Sequence, residues 1–211
     1  MRTTLLIRGF RHIVLAATLL APGLARAQVK YLDQGKKWGP VSRQDFYSRD
    51  QGSQMIPLAW AKALKAPDGT PFLADKFARY GYLPNPGSDL PIGFTQAGPT
   101  GSQQLGMTCA ACHTRDLIVR DQRYRVDGGP AISNFFGLLT DMIAAVNQVL
   151  EPGAFEPFAA AVLGPNPSGQ RVSDLRAAVE LWYLRENTLR ERSYPVDYWG
   201  TGRLDAVSMI F

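Results

Sequence analysis

The stretch Cys109-Ala-Ala-Cys-His113 decides the expected fold of this 211-residue chain. Two cysteines three positions apart on a helical turn place both sulfur atoms on one face of the helix. From there the sulfurs can form thioethers to the two vinyl groups of one haem, and the adjacent histidine can direct a ring nitrogen at the iron. The motif therefore predicts a cytochrome c-like domain with one covalent haem c, attached to Cys109 and Cys112 and ligated by His113.

Three other interpretations use the same residues. A disulfide or a thioredoxin-like redox pair would use both cysteines, but such a pair belongs to a βαβ pattern that this sequence lacks. A zinc site needs about four ligands, and downstream of the first 27 residues the motif supplies the only two cysteines and the only histidine. Coincidence is the third alternative. The use of both cysteines in a single motif favours haem.

Histidine content limits the second axial ligand of the iron. The chain has two histidines, His12 and His113, and His12 lies in a segment that we expect to be removed. Bis-histidine ligation within one chain is therefore excluded, and the distal position holds a methionine, a weaker ligand or nothing.

Methionines are the candidate distal ligands, and an open site is the alternative. Met107 lies two residues before Cys109, on the proximal side, and is a poor candidate. Met142 lies on the apolar face of a predicted helix, where filling the core is its simpler role. Met55 and Met209 lie in or beside predicted loops, so the set of candidates is Met55, Met142 and Met209.

The amino terminus has the pattern of an export signal. Arg2, Arg8 and Arg11 precede a short apolar stretch, and Ala25-Arg-Ala27 provides a small-x-small cleavage site. We expect residues 1–27 to be a signal peptide and residues 28–211 to be one c-type cytochrome domain in the periplasm or outside the cell. An uncleaved amino-terminal anchor is the alternative.

Cleavage changes the interpretation of charge. The signal peptide contains four arginines and no acidic residue, so the net charge falls from +5 to +1, with 19 basic and 18 acidic side chains left. The basic pI is mostly a property of the signal peptide. The remaining chain predicts neither a nucleic-acid partner nor a membrane span.

Hydrophobic periodicity predicts a mainly α fold with long irregular loops. Apolar residues follow the i, i+3, i+4, i+7 series most clearly over residues 131–150. Further helices are expected over 57–64, 70–81 and Phe155–Leu163, and from Ser173, as the cap, to the residue before Pro195.

The rest of the chain is expected to be irregular. Residues 28–50 have the composition of an extended arm, and the prolines and glycines of residues 83–106 exclude regular structure. Only 117–119 and 124–126 are candidate strands, enough for a small hairpin.

Several stretches from about residue 52 to the carboxyl end share a resemblance to one family. They are Ile56-Pro57 with Trp60, Asp68-Gly-Thr-Pro-Phe72, Leu90-Pro-Ile-Gly-Phe94, Gly106-Met-Thr-Cys-Ala-Ala-Cys-His-Thr114, Val126-Asp-Gly-Gly-Pro130 and Trp199-Gly-Thr-Gly-Arg-Leu-Asp205. The chain resembles the bacterial di-haem cytochromes of the cytochrome c peroxidase superfamily, within it the rubber-oxygenase-like branch.

The resemblance implies two haem domains that reduce peroxide or oxygenate a substrate. This sequence has one Cys-x-x-Cys-His motif, so we expect a truncated member whose partner is a redox protein or a second haem domain. The resemblance also implies that Trp199 packs near the haem and that Arg203 faces a propionate. A local Arg203–Asp205 pair is the simpler alternative.

The sequence thus leaves three functions open. The first is electron transfer in the periplasm or cell envelope, since it requires only the visible motif. The second is a haem-dependent oxygenase or peroxidase domain that lacks its second haem domain. The third is an inactive remnant that still binds haem. No catalytic residue can be assigned from the sequence.

Overall fold

Sheets and helices contribute together to this fold. The computed structural model describes residues 28–194 and 200–202, so the predicted signal peptide lies outside the described residues. Of the described residues, 42% are helical and 16% lie in strands, which form two three-stranded sheets. The expectation of a mainly α, cytochrome c-like fold is therefore wrong, and the chain is mixed α/β. Its short strands pair over long sequence distances and leave a weaker local pattern than its helices.

The described elements follow one another in a simple order. They are β1 (Lys30–Tyr31), α1 (Pro40–Ser48), β2 (Ile56–Pro57), α2 (Leu58–Ala63), a 3-10 helix (Ala78–Tyr80), β3 (Phe94–Ala97), β4 (Gln104–Met107), α3 (Cys109–Cys112), β5 (Thr114–Val119), β6 (Gln122–Asp127), α4 (Phe135–Leu150), α5 (Phe155–Leu163) and α6 (Gly169–Ser193). The two cysteines of the motif are the first and last residues of α3, a single helical turn that connects a strand of one sheet to a strand of the other. His113 directly follows this turn.

The first sheet has β6 as its central strand. β6 pairs antiparallel with β5, so that Thr114 lies opposite Asp127, and it pairs parallel with β1. Arg120 and Asp121 connect β5 to β6 with positive φ angles of 49° and 63°, as a two-residue hairpin turn requires. The predicted hairpin is confirmed, with both strands longer than expected.

The second sheet has β4 between β2 and β3, with both pairings antiparallel. β3 and all but the last residue of β4 lie within residues 83–106, so the expectation that this stretch excludes regular structure is wrong. Its prolines lie outside the two strands, and Gly93 and Gly98, with φ angles of 78° and 106°, allow the chain to turn beside β3. Phe94 and Leu105 on these strands are buried in the core.

The main core lies between the second sheet and helices α2, α4, α5 and α6. Its fully buried large side chains include Phe72, Phe77, Phe94, Leu138 and Phe155. The long helix predicted over 131–150 is confirmed as α4, which begins later because the side chain of Asn134 caps it, accepting a hydrogen bond from the Gly137 amide at 2.9 Å.

The other helices agree with the sequence to different degrees. α2 and α5 confirm the helices predicted over 57–64 and Phe155–Leu163. α6 ends before Pro195 as predicted, but Ser168 caps it and Ser173 lies inside it, so the predicted cap is wrong. No helix in the described ranges is both long and apolar enough to cross a membrane.

Two segments differ from the predictions made from the sequence. One was predicted to be irregular and contains a helix, and the other was predicted to be an α-helix and is not one. Residues 28–50 contain α1, whose first turn accommodates Pro40. Residues 70–81 form turns and one 3-10 helix instead of an α-helix. The Asp75 carboxylate accepts hydrogen bonds from the Phe77 amide at 3.1 Å and the Arg79 amide at 2.7 Å, a local alternative to helical bonding.

The close approach of Gly93 to α3 predicts a large effect of a single methyl group. A Cβ atom at Gly93 would lie 2.0 Å from the Ala111 nitrogen, so Gly93→Ala must displace α3. We expect it to lower the free energy of unfolding by about 4 kcal/mol or more, measured by chemical denaturation. The matched control is Gly69→Ala, because Gly69 has a similar φ of 83° with no atom within 4 Å. It should cost about 1–2 kcal/mol, and equal losses in both variants would contradict the close approach.

Candidate functional site

The cysteine motif lies on a helical turn, as its spacing predicts. Thr108 is extended and precedes α3, and the His113 amide donates to the Cys109 carbonyl at 2.9 Å to close the turn. Both cysteines are free thiols, Cys109 exposed and Cys112 half-buried. His113 is exposed as well. Within the described ranges, no three or more His, Cys, Asp and Glu side chains come together as a metal-binding group.

Contacts from earlier parts of the chain fix the start of α3. The Thr108 amide donates to the Gly93 carbonyl at 2.8 Å. The Cys109 amide donates to Oε1 of Gln51 at 3.1 Å. These bonds satisfy amide groups that the first turn of a helix leaves without an intrahelical partner.

Contacts from later parts of the chain fix the end of α3. The Gly128 amide donates to the His113 carbonyl at 2.7 Å, and the Ala131 amide donates to the Cys112 carbonyl at 2.8 Å. The segment after β6 therefore holds the carbonyls of two consecutive motif residues. The Val126-Asp-Gly-Gly-Pro130 stretch singled out in the sequence spans the end of β6 and the start of this segment.

Tyr82 is a neighbour of the motif that the sequence did not indicate. Its hydroxyl lies 3.8 Å from Sδ of Met107 and interacts with the side chain of Ser133. Burial raises the pKa of Tyr82, and the Cys112 thiol adds to the shift. Burial also raises the pKa of Cys112 to about 11, with a further contribution from Cys109. The site therefore keeps Tyr82 and Cys112 neutral at ordinary pH.

An apolar cavity of about 260 Å³ has Met107, two residues before Cys109, in its wall, and no residue of the motif itself lines it. Its lining is mostly apolar and includes Met55, Met107, Phe135, Met142, Trp182 and Leu189. Met55 and Met142 are two of the three candidate distal ligands, and Met209 lies outside the described residues. Met142 is also buried in the core, as the sequence predicted. The Trp182 indole donates to the Met55 carbonyl at 2.9 Å and fixes that wall.

Two buried hydroxyls next to the motif lack partners. Oγ1 of Thr108 and Oγ1 of Thr114 have no hydrogen-bond partner among the described residues. A buried hydroxyl without a partner costs about 1–3 kcal/mol. The motif itself supplies two free thiols and an exposed imidazole on and directly after one helical turn, which is the set of groups that covalent attachment of haem requires.

Two predicted site residues, Trp199 and Arg203, lie outside the described residues. The part of their turn that is described, residues 200–202, contacts the segment next to the motif. The Gly202 amide donates to the Ser133 carbonyl at 2.9 Å. A Cβ atom at Gly202 would lie 3.0 Å from the Ala131 carbonyl oxygen. The middle of this turn therefore packs against the same segment that holds Cys112.

Comparison with known proteins gives one distant relative. The chain is 29% identical over 244 residues to the uncharacterized protein y4iJ of Sinorhizobium fredii, an alignment that covers 99% of this chain and 40% of that protein. The chain thus spans about two fifths of the length of this relative. No protein-family model matches the chain, and no solved structure matches it.

The different burial of the two thiols predicts different alkylation of the haem-free chain. Because the pKa of Cys112 is about 11, its thiolate is scarce at pH 8, and its rate of reaction with iodoacetamide should rise about ten-fold per pH unit from 8 to 10. Cys109 should be accessible throughout. Peptide mass mapping of Cys109→Ala isolates Cys112, and Cys112→Ala is the matched control. A Cys112 rate that levels off below pH 10 would contradict its burial.

Proposed function

We propose that this chain is a c-type cytochrome domain of the periplasm or cell envelope that binds one haem and transfers electrons. Cys109 and Cys112 attach the haem, and His113 is the proximal iron ligand. One observation carries the proposal: both cysteines are free thiols on a single helical turn, with His113 exposed directly after them. The relationship to the di-haem cytochromes is part of the same proposal.

The two thiols have the chemistry that attachment requires. Cys109 and Cys112 would each hold the haem through a thioether, formed by adding the S–H bond across a vinyl group, a reaction that needs no oxidant. Cys109 is exposed and can react directly. Cys112 is half-buried on the same turn and is a free thiol as well. Ala110 and Ala111 between the two cysteines are buried, so the cysteines and His113 are the residues of the motif that solvent reaches.

The residues around the motif can also set the electronic environment. A bound haem supplies an iron that accepts and releases one electron. His113 provides the imidazole, and the main chain at its carbonyl is fixed by the Gly128 amide. The side chains of Met107, Phe135 and Met142 give the cavity an apolar wall. Such a wall excludes water and favours the less charged, reduced state of a metal centre.

An oxygenase or peroxidase domain is the second candidate function. The cavity of 260 Å³ with Met107 in its wall favours it, because a space of this size admits a small apolar molecule. The relative also extends far beyond the region that aligns with this chain. A second haem domain would then complete the enzyme. Oxygen uptake with an unsaturated lipid, and peroxide reduction with a reduced cytochrome donor, measure these activities directly.

Covalent attachment predicts haem that survives denaturation. The full chain, produced together with a haem-attachment system, should keep haem-dependent peroxidase stain on a denaturing gel. The Cys109→Ala and Cys112→Ala single variants should each retain one thioether, and the α band of their pyridine haemochromes should shift to longer wavelength because one vinyl group stays unsaturated. The double variant should lose the stain. A stained double variant would contradict the proposal.

Electron transfer through a six-coordinate iron predicts that the ferrous protein does not bind carbon monoxide. If Met55 or Met142 is the distal ligand, its replacement by leucine should open the iron, and the visible spectrum should then respond to carbon monoxide. Met107→Leu is the matched control, because Met107 lines the same cavity but lies only two residues before Cys109, which makes it a poor distal candidate. Rapid binding by the unmodified protein would favour the oxygenase or peroxidase function.

A further inference from the structure

Asp127 is a buried carboxylate at the end of β6. Its side chain is 1% exposed, and burying an ionised carboxylate is costly unless hydrogen bonds and opposite charge compensate for it. Three side chains provide this compensation. Tyr47 donates its hydroxyl at 2.5 Å, Trp38 donates its indole nitrogen at 2.8 Å, and Arg43 donates Nε at 2.8 Å.

The main chain of Asp127 is bound by the same part of the protein. Nε2 of Gln34 donates to the Asp127 carbonyl at 2.6 Å, and Oε1 of Gln34 accepts from the Asp127 amide at 3.3 Å. All four partners lie between Gln34 and Tyr47, 80 to 93 residues before Asp127. Every polar atom of Asp127 is thus used to join the amino-terminal segment to the first sheet.

Asp127 is also linked to the motif, through its partner on the neighbouring strand and through the next residue in the chain. Asp127 pairs with Thr114 across the sheet, and Thr114 follows His113 in the chain. The next residue, Gly128, donates its amide to the His113 carbonyl at 2.7 Å. A displacement of Asp127 therefore moves β6 together with Gly128, which binds the His113 carbonyl, and it moves β5, which begins directly after His113.

We propose that Asp127, held by Trp38, Arg43 and Tyr47, is the positioning residue that fixes the main chain of His113 and through it the orientation of the imidazole. This inference deepens the proposed function. The claim about the imidazole concerns the haem-loaded chain and rests on that function, whereas the claim about the main chain of His113 holds with or without haem. The residue needs its charge, because three donors converge on one carboxylate, and an amide of the same size would present a nitrogen to one of them.

Asp116 supplies a matched comparison within the same sheet. Its side chain is 11% exposed and pairs with the buried Arg125, with Oδ1 accepting from Nε at 2.8 Å. Both partners belong to the β5–β6 hairpin, and the pair has no bond to the residues that hold the His113 carbonyl. Asp116→Asn therefore removes a buried ion pair of the same sheet without releasing the main chain of His113.

The test compares amide hydrogen exchange at Gly128 in the full chain as purified. Asp127→Asn should accelerate exchange of the Gly128 amide roughly ten-fold or more, and Asp116→Asn should leave it unchanged even though both variants lose thermal stability. Tyr47→Phe removes one donor and keeps the charge, so it provides a milder variant if Asp127→Asn does not fold. Unchanged Gly128 exchange in Tyr47→Phe, or equal acceleration in Asp116→Asn, would overturn the inference.

Electron paramagnetic resonance of the ferric, haem-loaded chain gives the second readout. Its g-values depend on the orientation and strength of the axial imidazole, which general loss of stability does not alter. We expect shifted g-values in Asp127→Asn and Tyr47→Phe, and unshifted values in Asp116→Asn. Haem staining of the unmodified chain tests the proposed function by itself, whereas Gly128 exchange tests the positioning role with or without haem.

Discussion

The negative charge buried at Asp127 is the constraint on which the arrangement of the motif depends. A carboxylate with 1% of its surface exposed is stable only while its donors stay in place. Those donors come from the amino-terminal segment, and the adjacent main chain holds His113. One buried charge therefore couples the beginning of the described chain to the candidate iron ligand. Its neighbour Tyr47 has a raised pKa because of burial and the hydrogen bond to Asp127, so the Tyr47 hydroxyl keeps the proton that it donates over the physiological range.

The parts of this structure that the sequence predicted are those encoded by neighbouring residues. α4 and α5 follow from helical periodicity, and the β5–β6 hairpin follows from alternating residues around a tight turn. The motif itself is local, so its helical turn was predictable from five residues. These predictions needed no knowledge of what the elements pack against.

The parts that the sequence missed depend on residues far apart in the chain. β3 and β4 are four residues each. They are strands because β4 pairs with β3 on one side and with β2 on the other, and no periodicity reveals these pairings. Residues 70–81 have a helical composition, but the Asp75 carboxylate binds the amides that a helix would use. Tyr82 and Asp127 reach the site through tertiary contacts, so no local pattern could have assigned them to it. The feature of the sequence that pointed to this part of the site was the Val126-Asp-Gly-Gly-Pro130 stretch.

The position of α3 between the two sheets also has a consequence for the order of events during maturation. The donors of Asp127 precede it by 80 to 93 residues, and contacts of such large separation form late in folding because of their loop-closure entropy. Until they form, Asp127 lacks its donors, and the residues that bind the Cys112 and His113 carbonyls are not yet held by the amino-terminal segment. Under the proposed function, the docking of that segment therefore determines when the motif reaches its final geometry for a cofactor.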